Sequence, residues 1–107
     1  MQTEFLLVLT TCPDTEQANA LAKALVQAGV AACVQISPGL TSVYHWQGEL
    51  CESREAGLQI KCAANHYAEL ERLVLELHPY QVPELIALPV SHGLPAYLDW
   101  IKETTLR

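Results

Sequence analysis

Two β-rich segments on either side of the dipeptide Gln47-Gly48 constrain the fold of this chain more than any other feature. Residues 40–46 (LTSVYHW) run into the dipeptide, and residues 50–62 (LCESREAGLQIKC) run out of it. Such a dipeptide between two extended segments indicates a hairpin turn. At about 3.4 Å per residue the second segment would extend roughly 40 Å if unbroken, whereas a compact domain of this size has a radius of gyration of about 13 Å. The hairpin is therefore predicted to project beyond its own core.

A projecting hairpin of this kind is expected to need a second chain. A two-stranded ribbon is marginally stable alone in water, and its open edges pair readily with other strands. In the second segment, alternate residues from Leu50 to Cys62 are mostly apolar, and the residues between them form a polar row that we expect to face solvent or a shared cleft. The polar row consists of Cys51, Ser53, Glu55, Gly57, Gln59 and Lys61.

Two helices are predicted by their apolar spacing and their end signals. Asp14 is a predicted N-cap for the first helix, which ends near Gly29 because a helix C-terminus favours a glycine in the left-handed conformation. The second helix is predicted over residues 65–77, with Asn65 as its cap and Pro79 directly beyond its end.

The remaining segments predict strands and a terminal helix. Residues 5–11 and 84–90 are apolar runs typical of buried core strands, and residues 30–36 predict a strand that bends at 37–39 before the hairpin. Pro95 fits the first turn of a short final helix.

The resulting order is β-α-β-β-α-β followed by a helix, which predicts an α+β fold, a ferredoxin-like sandwich with a long β-hairpin. We expect a single domain over residues 1–107. Two helices would cover one face of an antiparallel sheet, and we expect another subunit to bury the opposite face.

Composition excludes several classes of function. The formal net charge is −6 with only six Lys and Arg residues, so no basic surface is available to follow a phosphate backbone, and nucleic acid is excluded as an expected partner. No apolar run approaches the roughly 18 residues that span a bilayer, and four scattered cysteines without a CxxC pair indicate reduced thiols. A soluble cytoplasmic protein without membrane attachment is expected. The imidazoles of His45 and His66 are expected to be solvated.

Catalytic motifs are not found in the sequence. It contains no Gly-rich phosphate loop, no nucleophile elbow, and no Ser, His and Asp set in a recognisable local frame. We therefore expect a binding or assembly protein and not an enzyme.

Four segments, read in order, resemble a known family. These segments are AACVQISPGLTSVYHWQGELCESRE, LQIKC, HPYQVPELIALPV and YLDWI. They are similar to the CutA family, named for divalent-cation tolerance, and the resemblance runs over nearly the whole chain. It implies a fold similar to that of the PII signalling proteins, a homotrimer assembled through the long hairpins, and a response to copper or other divalent metals.

The resemblance makes the segment HPYQVPEL a candidate metal site. His78 is the expected ligand, with Glu84 close enough in sequence for a turn to bring the two side chains together. The alternative is a rigid corner in which Pro79 ends the helix and Pro83 keeps the chain extended.

A second candidate site lies on the hairpin. Tyr44, Trp46, Glu55 and Lys61 would combine aromatic walls with one acid and one base if an intersubunit cleft brought them together. The alternative is that the aromatic side chains anchor the oligomer and Glu55 pairs with a charged neighbour.

The leading hypothesis is a trimeric CutA-like protein of the response to metal ions, with no required cofactor and with copper or another divalent metal as its ligand. Two other hypotheses stay open at this point. One is a PII-like sensor whose clefts take a small organic effector, and the other is a trimeric scaffold that holds a partner protein.

Overall fold

A four-stranded antiparallel sheet with two helices on one face forms the core of the chain. The computed structural model describes residues 4–106, and the strand order is β2-β3-β1-β4. This order confirms the predicted ferredoxin-like α+β arrangement. The elements are β1 Phe5–Cys12, α1 Thr15–Gln27, β2 Cys33–Trp46, β3 Glu49–Ala63, a 3₁₀ turn Ala64–His66, α2 Tyr67–Leu77, β4 Leu85–Pro89 and α3 Pro95–Thr104.

The ends of the helices follow the sequence signals except at the start of α2. Asp14 accepts a hydrogen bond from the main-chain N–H of Gln17 at 2.8 Å, and Gly29 adopts a φ of +75° after the last turn of α1. The predicted Asn65 cap is wrong. Asn65 lies inside the 3₁₀ turn, and His66 occupies the cap position without a side-chain hydrogen bond.

The hairpin is confirmed as the longest feature of the fold. β2 and β3 pair from Cys33 opposite Lys61 out to Trp46 opposite Glu49, and the molecule measures 44 Å along its longest axis against 28 and 23 Å along the others. Gln47 and Gly48 have φ of 51° and 82°, the pair of positive values that a type I′ turn requires.

A β-bulge divides the hairpin into an inner and an outer half. The register of β2 against β3 shifts between Ser37 and Leu40, where Gly39 adopts a φ of +73°. In the inner half, β3 also pairs with β1, and its side chains Leu58 and Ile60 are buried in the core under α1 and α2. In the outer half, β2 and β3 pair only with each other.

Three predictions about burial and boundaries are wrong. Residues 84–90 were expected to form a core strand, whereas β4 is an edge strand with Ile86 and Leu88 exposed, because α1 and α2 cover only the opposite face of the sheet. The strand predicted from Val30 begins at Cys33. The side chain of His66 is buried, since the turn that precedes α2 directs it inward.

No helix within residues 4–106 is long and apolar enough to cross a membrane.

Candidate functional site

Three segments that are distant in sequence meet where the inner half of the hairpin ends. They are the end of β1 at Thr11 and Cys12, the middle of β3 at Glu55, and the connection between α2 and β4 that begins at His78. Strand pairing accounts for the first contact, since Thr11 lies opposite Gly57 and Cys12 opposite Ala56, next to Glu55. A short network of hydrogen bonds within the chain joins all three segments.

Glu55 is at the centre of this network. Its Oε2 accepts a hydrogen bond from the Tyr80 hydroxyl at 2.8 Å and from the Thr11 hydroxyl at 3.3 Å. The residue is only 8% exposed, although it belongs to the polar row of β3. Burial, followed by the hydrogen bond to Glu55 and the charge of that carboxylate, raises the pKa of Tyr80 well above its usual value. Tyr80 therefore stays a hydrogen-bond donor.

His78 is held by the main chain through both ring nitrogens. Nδ1 accepts a hydrogen bond from the N–H of Tyr80 at 3.1 Å, so Nε2 carries the proton and donates to the carbonyl of Thr11 at 2.5 Å. The ring also lies 4.9 Å from the ring of Tyr80, between centroids. A metal ion bound to His78 would have to replace one of these two hydrogen bonds.

The thiol of Cys12 lies beside this imidazole. Its Sγ is 3.9 Å from Nε2 of His78, at the floor of a crevice of about 200 Å³ between α1 and the end of α2. Burial raises the pKa of Cys12 to about 11, and the negative charges of Asp14 and Glu55 add to the increase. The thiolate that a soft metal prefers is therefore scarce at neutral pH.

Glu84 is placed differently from His78. Its side chain is exposed, and the residue joins the neighbouring strand through its main-chain carbonyl, which accepts a hydrogen bond from the Thr10 hydroxyl at 2.6 Å. Within residues 4–106 there is no group of three or more His, Cys, Asp or Glu side chains arranged to hold a metal ion. The metal site at His78 and Glu84 stays a prediction.

Within the described part of one chain, no hydrogen bond joins any two of the four predicted cleft residues, although the charge of Tyr44 acts on Tyr80, the partner of Glu55. The hydroxyls of Tyr44 and Ser53 share a hydrogen bond of 2.8 Å on the outer half of the hairpin, and Trp46 is exposed near its tip. The ammonium group of Lys61 donates to Gln35 across the inner half. Of the four, only Glu55 belongs to the hydrogen-bond network. The shared cleft therefore also stays a prediction, one that requires a second copy of the chain.

Sequence reasoning missed Tyr80 and Thr11 as members of the site. Tyr80 is 25 residues from Glu55, and Thr11 is 44 residues from it. The position of Tyr80 between Pro79 and Pro83 was a usable signal, because two prolines fix the direction of a short segment. The contact itself depends on the strand order, which local pattern does not supply.

Comparison with known proteins gives a consistent result. The sequence model of the family described as CutA1 divalent ion tolerance protein matches residues 6–104. The "Divalent-cation tolerance protein CutA" of Thermus thermophilus is 50% identical over 99 residues, which are 92% of this chain and 96% of the relative. "Protein CutA" of Mus musculus is 41% identical over 89% of this chain, which spans about half (54%) of the mouse protein.

A solved structure agrees with these relatives in fold. The crystal structure of CutA1 from the psychrotrophic bacterium Shewanella sp. SIB1, described as a stable protein, superposes with a TM-score of 0.95 at 47% identity and covers 98% of each chain. The similarity thus extends over the sheet, the long hairpin and all three helices. The chain belongs to the CutA1 family of divalent ion tolerance proteins.

Proposed function

We propose that this protein takes part in the response to divalent metal ions as a homotrimer that binds its ligand without turning it over. Its relative in Thermus thermophilus, 50% identical, carries the name divalent-cation tolerance protein. The network of Glu55, Tyr80 and His78 lies where a cleft between copies would open. No cofactor is required in this proposal, and copper or another divalent metal is the ligand.

The observation that carries the proposal is the exposure of the outer half of the hairpin. Val43 is 64% exposed and Leu50 71%, in the part of the hairpin where β2 and β3 pair with no third strand. Ile86 and Leu88 on the edge strand β4 are exposed as well. Burying these side chains against other copies stabilises the ribbon by the hydrophobic effect. The same contacts bring Tyr44 and Trp46 of one copy towards its neighbours.

His78 is the residue we assign to copper, with Glu84 as its proposed partner. Calorimetric titration of the oligomer with Cu²⁺ and with Zn²⁺ tests this assignment. We expect His78→Ala to weaken copper binding by at least the roughly tenfold cost of removing an outer-shell partner of a metal site, because His78 is proposed as a direct ligand. His45→Ala is the matched control, because His45 is exposed on the hairpin. Copper affinity that is unchanged in His78→Ala would remove His78 from the proposal.

The names of these relatives do not support the two alternative functions, a PII-like sensor of a small organic effector and a trimeric scaffold for a partner protein. The response to metal ions is therefore the function that we propose. We also place the protein in the cytoplasm. Its four cysteines are all unpaired, which suits a reducing compartment. Fractionation of cells with antibody detection tests this location, and recovery from an oxidising compartment would contradict it.

A further inference from the structure

A cavity of about 510 Å³ lies at the opposite end of β1 from the network around Glu55. Phe5 at the start of β1 pairs with Ala63, whereas Cys12 at its end pairs with Ala56 beside Glu55. Pockets that take small organic ligands ordinarily measure about 300–1,000 Å³. The residues that carry its chemistry are Glu4, Ala64, His66, Lys102, Glu103 and Leu106.

Hydrogen bonds of the main chain hold two walls of this cavity. The N–H of Ala64 donates to the carbonyl of Glu4 at 2.8 Å, which fixes the start of the 3₁₀ turn against the start of β1. The N–H of Leu106 donates to the carbonyl of Gly29 at 2.9 Å, which fixes the chain after α3. The space is therefore formed before a ligand enters, as ligand pockets usually are.

His66 brings an unsatisfied polar atom to this cavity. The residue is 9% exposed, and its Nδ1 is buried without a hydrogen-bond partner among residues 4–106. Buried polar atoms of native proteins ordinarily have a partner, because an unsatisfied one costs free energy. The side chain does not cap α2 either. Since His66 lines the cavity, an occupant can supply the missing partner once the ring turns about its Cβ–Cγ bond, a soft torsion.

The cavity carries both signs of charge. Lys102 pairs with Glu4 at 3.0 Å, and both side chains are more than half exposed, so this ion pair is weak and easily exchanged. Glu103 forms no ion pair within 4.0 Å inside the described residues. A simple anion would face two carboxylates, and a simple amine would face the ammonium group of Lys102. A zwitterion matches both signs.

Two other classes of ligand fit this cavity less well. No group of three or more His, Cys, Asp or Glu side chains in the described part of the chain is arranged to hold a metal ion. A nucleotide carries several negative charges, for which Lys102 is the one ammonium group among the described residues of the lining. The cavity thus favours a small molecule with one charge of each sign.

We propose that this cavity binds a small zwitterion of the amino-acid type. Lys102 and an imidazole N–H of His66 bind its carboxylate, Glu103 binds its ammonium group, and Ala64 and Leu106 contact its side chain. The bound molecule satisfies the nitrogen of His66 that has no partner within the chain. The inference goes beyond the proposed response to metal ions and uses none of the residues assigned to copper.

Free L-amino acids, added one at a time to the intact oligomer, are the probes that test this site. The readout is ¹⁵N NMR of the histidine side chains, because a hydrogen bond to Nδ1 shifts the resonance of that nitrogen. We expect at least one amino acid to shift the Nδ1 signal of His66 saturably and to leave the signals of His78 unchanged. If no amino acid shifts the signal of His66, the inference is overturned.

His66→Phe distinguishes a ligand-binding role from a structural one. It removes the unpartnered nitrogen and keeps a ring, so without ligand the variant should melt at the same temperature as the unmodified protein or higher. Its affinity for the amino acid should fall by about tenfold or more, the cost of a hydrogen bond to a charged group. A lower melting temperature with unchanged affinity would contradict the inference.

Lys102→Gln keeps the test decisive whether or not His66→Phe folds. It should weaken amino-acid binding by several-fold, because it removes the positive charge that meets the carboxylate. Lys23→Gln is the matched control, since it removes the same charge from an exposed position on α1. Its affinity should stay within about twofold of the unmodified protein. Equal affinities in these two variants would overturn the inference.

Compounds that keep the side chain of an amino acid but lack one of its charges test the class of ligand. For leucine they are isoamylamine, without the carboxylate, and isocaproate, without the ammonium group. Each should bind about tenfold or more weakly than the amino acid that it matches. An amine or an acid that binds as tightly would contradict the zwitterion. Copper binding that depends on His78, in a protein that binds no amino acid, would leave the proposed function standing and overturn this inference alone.

Discussion

The inner and outer halves of the hairpin have similar sequence character but different surroundings. In the inner half, β3 pairs with β2 on one side and β1 on the other, and Leu58 and Ile60 are fully buried. In the outer half, the same two strands continue with no third strand and no helix, and Leu50 is exposed. Alternating apolar residues therefore form a core only where other elements cover the sheet. We propose that another copy supplies that cover for the outer half.

The largest expected effect concerns two substitutions of a large aliphatic side chain by alanine, one in each half of the hairpin. Their effects on the free energy of unfolding should depend differently on protein concentration. Ile60→Ala opens a cavity in the core of a single chain and should lower the free energy of unfolding by about 2–5 kcal/mol, whatever the concentration. Leu50→Ala should act only through association, so its effect should vary with concentration by mass action. Urea unfolding at several protein concentrations measures both. If both variants lost a similar free energy of unfolding at every protein concentration, the proposed difference between the halves would be contradicted.

The second-largest effect is expected at alkaline pH, which should lower the stability of the inner half. Burial raises the pKa of Cys62 to about 11 from 9.0, and that of Cys12 likewise. A raised pKa contributes stability that is complete below pH 9 and is lost as pH rises through 11, because the unfolded chain releases its protons first. The loss should reach at most about 1.4 kcal/mol per pH unit for each thiol.

Urea unfolding between pH 8 and 11 measures this slope. Cys62→Ala should reduce it, and Val8→Ala, a core deletion without a thiol, should keep it. Equal slopes in both variants would show that the buried thiol of Cys62 is not responsible.

A smaller effect on stability is expected from two tyrosines that each form one side-chain hydrogen bond. Tyr80 is at the boundary between the halves, and Tyr44 is on the outer half. Tyr80→Phe removes a donor from the buried carboxylate of Glu55 and should cost about 1–3 kcal/mol. Tyr44→Phe removes the bond to Ser53 on the exposed outer half and should change stability by about 0.5 kcal/mol or less. Thermal unfolding of the pair gives the comparison. A cost for Tyr44→Phe that equals that of Tyr80→Phe would place Tyr44 in a buried cleft and strengthen the cleft prediction.

The parts of the fold that were predictable from sequence depend on local chemistry. Asp14 as a cap, Gly29 after a helix and Pro95 at the first turn each act within a few residues of themselves, so their effects can be read directly. The prediction of Asn65 as a helix cap failed because the chain forms a 3₁₀ turn at this place. Nothing in the neighbouring residues distinguishes such a turn from a capped helix start.

The parts that were not predictable depend on which elements become neighbours. Residues 84–90 are apolar enough for a core strand, but the sheet order leaves β4 at an edge. Glu55 was correctly assigned to the polar row of β3, yet its burial comes from Tyr80 and Thr11, which lie far away in sequence. For the same reason the cleft residues were named from strand parity alone, and a single chain brings only Glu55 into the network.

The molecular mass in dilute solution tests the central claim, that the outer half of the hairpin is completed by other copies. Sedimentation equilibrium at low micromolar concentration, with circular dichroism to confirm the fold, is the direct measurement. We expect a folded species of three times the 11.8 kDa chain mass. A folded species of 11.8 kDa that persists across the concentration range would contradict it.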